Sequence, residues 1–340
     1  MARPLVLGLA LALSATGAWA DRYSDCNQYK DPDRQISGCT QIIEGGEKET
    51  RKDRAIAYSN RGVVYKKKGE VDRAIADYTK AITLDPNNAK AYSNRGSAYH
   101  EKGEVDRAIA DHIKAIALDP NNAIAYTNRG VAYAKKGEVD RAIADHTKAI
   151  ALNPKFVRAY VNRGLVYKKK GEVDRAIADH TKAITLNPDY AEAYNSRGSA
   201  YHEKGEVDRA IVEWTKAIAL NPDYAEAYYN RGVVYGAKGE VDRAIANYDK
   251  AIALNPSYAT AYNNRGWAYA GKGEVDRAIA DYDKAIALNP KLAITYVNRG
   301  LAYEQKGDKE QAIADFRKAL EIDPSDQYAK NNLKRLGVTP

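Results

Sequence analysis

The sequence predicts an all-α protein, an α-solenoid of antiparallel helix pairs, and two observations carry this prediction. The first is a period of 34 residues, which divides residues 55–326 into eight repeats without an insertion. It is marked by eight prolines: Pro86, Pro120, Pro154, Pro188, Pro222, Pro256, Pro290 and Pro324. The second is a biased composition, with 26 Tyr but only 2 Phe among 340 residues, which indicates repetition. The hydrophobic share of 44% is high enough to bury a core and excludes a wholly disordered chain.

Each repeat contains two stretches with helical spacing. In the first repeat Tyr58, Gly62 and Tyr65 are separated by four and three residues, so they share one face of a helix. Apolar residues recur in the same way across residues 71–82, which predicts a second helix. Gly69 lies between the two stretches and is typical of a residue that ends a helix with a positive φ. Since helices of about 14 residues are marginal alone, the pairs are expected to stack on one another.

The marks of the repeat resemble those of the tetratricopeptide repeat (TPR) family. They read Tyr-x2-Arg-Gly-x2-Tyr, then Ala-x3-Tyr, then Ala, then Pro, and the family has the same period of 34 residues. The resemblance implies a right-handed superhelical α-solenoid of eight TPR units plus caps. The predicted units are 55–88, 89–122, 123–156, 157–190, 191–224, 225–258, 259–292 and 293–326.

The two ends of the chain differ from the repeats. Residues 1–20 combine Arg3, a short apolar run and an Ala-x-Ala ending, which predicts a signal peptide cleaved after Ala20. The mature protein is therefore expected to be periplasmic or secreted. The apolar run 5–13 is shorter than the roughly 20 residues that cross a bilayer, so no membrane span is expected after cleavage. Residues 327–340 predict a C-terminal capping helix.

Both cysteines lie in the predicted N-terminal cap, a helix pair within residues 21–54. A shift of 39 residues aligns Cys26 with Tyr65 and Cys39 with Tyr78, two places that face each other across the helix pair. In an exported protein this register predicts a disulfide. A metal site or a redox pair is the alternative, but neither further ligands nor a two-residue spacing accompanies the cysteines.

No catalytic constellation, metal site or cofactor site is expected. His112, His146 and His180 stand on a place that is aromatic in other repeats, so they are interpreted as semi-buried substitutes for those rings. His100 and His202 are interpreted as isolated. No phosphate-binding glycine loop or activated nucleophile is found, which argues against an enzyme. Export and the lack of base-stacking basic clusters disfavour nucleic-acid binding.

The family resemblance implies that the first helix of each pair lines a concave groove. The sixth place of that helix is an amide in seven repeats: Asn60, Asn94, Asn128, Asn162, Asn230, Asn264 and Asn298, with Ser196 in the remaining one. Amides can pair with the backbone of an extended peptide whatever its sequence, so the row is a candidate peptide-binding ladder. The alternative, equally favoured, is that the amides bond locally within the repeat framework.

A narrower resemblance concerns the site with which cochaperones of the family grip a terminal carboxylate. Lys90, Asn94, Asn128 and Arg158 match its pattern, whereas Asn162 stands where a basic residue is expected. Trp267 at the ninth place is a candidate exposed aromatic anchor, and Tyr229 is a weaker candidate.

The net charge of +8 is distributed unevenly along the chain. Residues 55–190 carry +8 and residues 191–326 carry −3, and much of the surplus lies at variable groove places. The sequence therefore predicts an exported, non-enzymatic scaffold or assembly factor in the envelope of a Gram-negative-type bacterium, with an acidic peptide or protein ligand along TPR 1 to 4. The alternative is a receptor for acidic C-terminal peptides in TPR 2 to 4, with Lys90 and Arg158 essential.

Overall fold

A computed structural model describes residues 22–28 and 30–339 of the chain. The predicted signal peptide, residues 1–20, lies outside the described residues. Two compact units, here called the N-terminal half and the C-terminal half, meet in sequence between Lys170 and Gly171. All regular structure in the described ranges is helical, and no β-strand is found in them.

The N-terminal half contains a short cap and the first seven repeat helices. Its helices are α1 (22–27), α2 (Pro32–Glu44), a 3-10 helix (Gly46–Lys48), α3 (Arg51–Lys67), α4 (Val71–Leu84), α5 (Ala89–Glu101), α6 (Val105–Leu118), α7 (Ala123–Lys136), α8 (Val139–Leu152) and α9 (Val157–Lys169). Each of α3, α5 and α7 packs against the helix that follows it, and that helix packs against the next repeat.

The C-terminal half continues the same alternation. Its helices are α10 (Val173–Leu186), α11 (Ala191–Glu203), α12 (Val207–Leu220), α13 (Ala225–Ala237), α14 (Val241–Leu254), α15 (Ala259–Gly271), α16 (Val275–Leu288), α17 (Ala293–Lys306), α18 (Lys309–Ile322) and α19 (Gln327–Arg335). Tandem helix pairs thus run through each half, and the predicted all-α architecture of stacked pairs is confirmed.

Glycine sets the geometry of each pair in two ways. Gly69, with φ +78°, ends α3, and the backbone N–H of Glu70 then donates to the carbonyl of Tyr65 at 2.9 Å. Within α3, Gly62 lies so close to the next helix that an added Cβ would stand 2.7 Å from Cε1 of Tyr78. The missing side chain therefore lets the ring of Tyr78, 1% exposed, fill the space between the two helices.

The same substitution at two glycines of α15 is expected to have opposite effects. A Cβ on Gly266 would lie 2.8 Å from Cε1 of Tyr282, whereas one on Gly271 would meet nothing within 4 Å. Gly266→Ala should lower the free energy of unfolding by about 1–3 kcal/mol through overpacking. Gly271→Ala should raise it by about 0.5–1 kcal/mol, because alanine favours the helix. Urea unfolding followed by circular dichroism measures both, and a loss of equal size in the two variants would contradict the packing argument.

The repeated charges form two series of framework contacts. In the first, an arginine of the first helix pairs with an acid of the second, at 15–19% side-chain exposure for the arginine: Arg61–Asp77, Arg95–Asp111, Arg129–Asp145, Arg197–Glu213, Arg265–Asp281 and Arg299–Asp315. In the second, a more exposed lysine at a helix end reaches back to the preceding repeat: Lys102–Asp72, Lys136–Asp106, Lys170–Asp140, Lys204–Asp174, Lys238–Asp208, Lys272–Asp242 and Lys306–Asp276.

The caps close the two ends with small cores. Cys26 and Cys39 are joined in a disulfide, with Cα atoms 4.5 Å apart, and pack with Ile42 and Ala57. At the other end Leu333 of α19 is fully buried against the last repeat. α3 begins four residues before the predicted start of the first repeat, because Thr50 accepts a hydrogen bond from the backbone N–H of Asp53 and caps the helix there.

Candidate binding surfaces

The amides at the sixth place bond to side chains of the repeat or cap segment before them. Nδ2 donates to an oxygen of that segment at 2.9–3.2 Å in five cases: Asn60 to Asn27, Asn128 to Ser97, Asn230 to Asn195, Asn264 to Tyr229 and Asn298 to Asn263. These donors are therefore committed to holding neighbouring segments together, which favours the framework interpretation for these five residues. Ser196 is buried in the same row.

Asn94 differs from the other amides of the row. Its Nδ2 is buried and has no hydrogen-bond partner. A buried donor without a partner costs free energy, and this one takes no part in the bonds that join neighbouring segments.

A cavity of about 430 Å³ opens on the N-terminal half. Most of its polar lining residues lie on α5, α7 and α9. Its lining includes Lys66, His100, Glu101, His112, Asn128 and Arg158. Nη2 of Arg158 donates to Oδ1 of Asn128 at 2.8 Å, and Nδ2 of Asn128 donates to Oγ of Ser97 at 3.2 Å. These bonds hold the guanidinium against the wall of the cavity.

Basic side chains outnumber acidic ones in the lining of this cavity, with Lys66 and Arg158 against Glu101. Burial, followed by the charges of Lys135 and Lys66, lowers the pKa of His100. The carboxylate of Glu101 lies 3.7 Å from Nζ of Lys66 and offsets one of these charges. The remaining cationic groups favour an anionic ligand.

The histidines depart from the sequence prediction in two respects. His112, His146 and His180 are fully buried, not semi-buried. The reason is the close approach of the helices: a Cβ on Gly96 would lie 2.9 Å from Cε1 of His112, so no room for water remains on that side. His100 is not isolated, since it lines the same cavity as His112. Sequence spacing could not show this, because the two side chains lie on different helices.

The four residues of the carboxylate-grip pattern do not all meet at this cavity. Arg158 and Asn128 are in contact and Asn162 lines the same space, but Lys90 and Asn94 are not among the lining residues. Lys90 is exposed near the start of α5. Lys66 and His100 line the same cavity as Arg158, and the sequence pattern did not include these two residues.

A second cavity, of about 320 Å³, lies on the C-terminal half. Trp267 on α15 forms one wall and is 57% exposed, which agrees with its proposed role as an exposed aromatic residue. Tyr229, the weaker candidate, is half-buried and packs against Tyr258 with ring centroids 4.8 Å apart.

In the part of the chain that the structure covers, no group of three or more His, Cys, Asp or Glu side chains has a metal-binding arrangement. Every helix of the described ranges is too short or too polar to traverse a bilayer.

Family models place the repeats in one family. A model described as "TPR repeat" matches residues 62–103, 96–137, 132–171, 164–205 and 198–239, and models described as "Tetratricopeptide repeat" match residues 229–293 and 293–326. None of the curated proteins compared with the chain matches it.

Three solved structures show the likeness of the fold. The crystal structure of the APC/C hetero-tetramer Cut9–Hcn1 matches with a TM-score of 0.65 and 21% identity, over 96% of this chain and 63% of that chain. The chain thus spans less than two thirds of that relative. The pilF protein of Pseudomonas aeruginosa matches with a TM-score of 0.57 and 18% identity, over 63% of this chain and 97% of that one. A tetratricopeptide repeat protein from Parabacteroides merdae matches with a TM-score of 0.54 and 24% identity, over 72% and 97%. The chain belongs to the tetratricopeptide repeat family.

Proposed function

We propose that this protein is an exported, non-enzymatic scaffold or assembly factor that binds extended peptide segments, with an acidic segment held by the N-terminal half. The fold of the family is consistent with protein–protein interaction. The observation that carries the finer proposal is the cavity lined by Lys66, His100 and Arg158, in which Arg158 is held by Asn128.

The chemistry of these groups fits a carboxylate. A guanidinium that is already oriented by one hydrogen bond loses little conformational freedom on binding, and its remaining N–H groups can donate to a carboxylate. His100 adds a ring whose Nδ1 is buried without a partner. A glutamate or aspartate side chain entering the cavity would therefore gain charge-assisted bonds.

Arg158→Ala is expected to weaken binding of an acidic peptide roughly tenfold, because it removes a charge-assisted bond. The probe is a fluorescein-labelled twelve-residue Gly/Ser peptide that contains four Glu, titrated with the full chain by fluorescence anisotropy. Arg141→Ala is the matched control, since Arg141 is an exposed arginine of the same half that pairs with Glu138. Equal affinities of the wild type and the R158A variant for this peptide would show that the cavity does not bind it.

The second candidate function, a receptor for acidic C-termini, rests on the contact between Arg158 and Asn128, which are both part of the carboxylate-grip pattern. It is separated from the first by one comparison. A peptide with a free C-terminal carboxylate and the same peptide as its amide should differ in affinity at least tenfold if the terminus is gripped. Equal affinities of the two peptides would rule out the C-terminal receptor and leave only the binding of acidic side chains.

The proposed location outside the cytoplasm rests on the predicted signal peptide and on the Cys26–Cys39 bond, since disulfides persist in oxidising compartments. Fractionation of the producing cell, with the mass of the mature protein, tests it. A mature chain that begins at Asp21 in the periplasm or medium is the expected result, and an uncleaved cytoplasmic chain would contradict it.

Loss of the disulfide is expected to destabilise the N-terminal half by about 3 kcal/mol, as predicted for closing a short loop of the unfolded chain. The two cysteines are 13 residues apart in sequence. The double variant C26S/C39S and the wild type are compared by urea unfolding, and alkylation with mass spectrometry confirms that the wild type is oxidised. A stability unchanged by the double variant would show that the α1–α2 cap is held by packing alone.

A further inference from the structure

Two glycines open the cavity of the C-terminal half. Gly236 and Gly271 lie in the last turns of α13 and α15, at the twelfth and thirteenth helix places. In five of the other repeats both places carry larger polar side chains, and the third repeat has Ala134 and Lys135. The five pairs are Lys66 and Lys67, His100 and Glu101, Lys168 and Lys169, His202 and Glu203, and Glu304 and Gln305. Without side chains at Gly236 and Gly271, the space beside Trp267 stays open.

Neither glycine is required by the fold. Neither has a positive φ. A Cβ on Gly271 would meet nothing within 4 Å, and one on Gly236 would make ordinary contacts of 3.7 Å with the hydroxyl of Tyr248 and 3.8 Å with Cβ of Ala244. Because glycine also weakens a helix, packing and helix stability would both tolerate a larger residue at these places. The clearest effect of the two glycines is therefore the open space that they leave beside Trp267.

The walls of this cavity are mostly apolar. The side chains that line it include Val233, Ala237, Val241, Tyr248, Trp267 and Ala268, and none of its lining residues is charged. Its volume of about 320 Å³ is at the lower end of the range for ligand pockets. An indole that is 57% exposed at the edge of such a space can cover one face of an entering ring. The cavity is suited to one large apolar side chain.

The charged residues at the groove places of the first helices before this cavity are negative. Glu226 lies on α13 seven residues before Val233, so it is on the same helix face and about 10 Å away along the axis. Glu192 and Glu203 are exposed on α11, the first helix of the preceding repeat. The other charges nearly cancel in the two repeats that line the cavity, since residues 225–258 carry a net charge of 0 and residues 259–292 carry +1. In a ligand whose side chain enters the cavity, cationic neighbours of that side chain would be attracted by these glutamates.

We propose that this cavity is a specificity pocket for an aromatic side chain of a partner protein, in a segment where lysine or arginine flanks the aromatic residue. The inference rests on the proposed function, since it assumes that the repeats bind peptide segments. It differs in chemistry from the acidic segment assigned to the N-terminal half. The two halves of the chain would thus select ligands of opposite charge.

The experiment uses the full chain and a fluorescein-labelled twelve-residue Gly/Ser peptide with a central Lys-Phe-Lys, titrated by fluorescence anisotropy. Replacing Phe by Ala in the peptide should weaken binding at least tenfold, and replacing both Lys by Glu at least fivefold. In the protein, Trp267→Ala and Gly271→Leu should each weaken binding at least tenfold. Binding of the Phe peptide, which contains no tryptophan, should also shift the emission of Trp267 to shorter wavelength.

Gly271→Leu separates blocking of the cavity from unfolding. The leucine has open space for its Cβ, so the melting temperature should stay the same or rise while binding is lost. Ala219→Leu places the same side chain on an exposed position of α12 and should leave binding unchanged. Equal affinities for the Phe and Ala peptides, or full binding by G271L, would overturn the proposal.

Two further outcomes identify which proposal fails. If the acidic peptide binds but the Lys-Phe-Lys peptide does not, the specificity pocket is wrong and the proposed function stands. If neither peptide binds, the proposed function itself fails. A third set of results would overturn the partner proposed here. If the wild type self-associates in sedimentation, the G271L variant does not, and the Lys-Phe-Lys peptide does not bind, the cavity binds a second copy of the chain.

Discussion

Replacing Asp145 with alanine is expected to lower the free energy of unfolding of the N-terminal half by about 3–5 kcal/mol, the cost of removing one partner of a buried ion pair. Asp145 is 6% exposed and accepts two hydrogen bonds from Arg129, at 2.8 Å from Nε and 2.7 Å from Nη2. These bonds raise the pKa of Arg129, although burial opposes them. In the variant, the guanidinium would stay charged and largely buried without its carboxylate. Urea unfolding monitored by circular dichroism measures the loss.

Two comparisons test whether burial is the cause. Asp145→Asn should cost less than Asp145→Ala, because the sixth repeat already uses an amide here: Nε of Arg231 donates to Oδ1 of Asn247 at 3.0 Å. Asp106→Ala removes an acid that pairs with Lys136 at 2.7 Å but has 82% side-chain exposure, so it should cost no more than about 1 kcal/mol. Similar losses for D145A and D106A would show that the repeated arginines contribute no more than surface pairs do.

The sequence predicts the helix pairs well because their determinants are local. Helical spacing, one left-handed glycine and one proline specify each pair without knowledge of any distant contact, and Gly69 adopts the expected positive φ. The buried arginine pairs were not anticipated, since their members lie 16 residues apart on two helices. A signal was nevertheless present: Arg61 and Asp77 recur together at this separation in most repeats. Opposite charges that recur at a constant separation in successive repeats indicate ion pairs between the two helices of each repeat.

The candidate sites were harder to predict, because a cavity depends on side chains that are missing as well as on those that are present. The absence of side chains at Gly236 and Gly271 is visible in the sequence, but its effect depends on Trp267 lying beside them. The cavity of the N-terminal half likewise joins Lys66 and Arg158, which belong to different repeats. The row of asparagines was predicted as a row, but its bonds to the preceding segments depend on rotamers that no spacing specifies.

Acid is expected to destabilise the N-terminal half through two buried histidines. Burial lowers the pKa of His112 and of His146 to about 4, and both ring nitrogens of each side chain lack a hydrogen-bond partner. In the unfolded chain a histidine takes up a proton near pH 6.5. Between pH 6.5 and 4 the unfolded state therefore binds more protons, so stability falls as the pH is lowered. Each histidine accounts for a loss of about 3 kcal/mol across this window.

The double variant H112F/H146F should abolish this part of the acid sensitivity. Phenylalanine fits the position, since Phe316 occupies it in the last repeat with the same contact against a glycine, Gly300. Relative to the wild type, the variant should gain about 5 kcal/mol more stability at pH 4.5 than at pH 7.5. Tyr78→Phe is the matched control, because burial raises the pKa of that phenol and it stays neutral throughout the window. Because carboxylates titrate in every variant, only the difference between variants reports the histidines. If H112F/H146F and the wild type lose stability in parallel from pH 7.5 to 4.5, the imidazoles are protonated in the folded state and the buried rings must be reached by water.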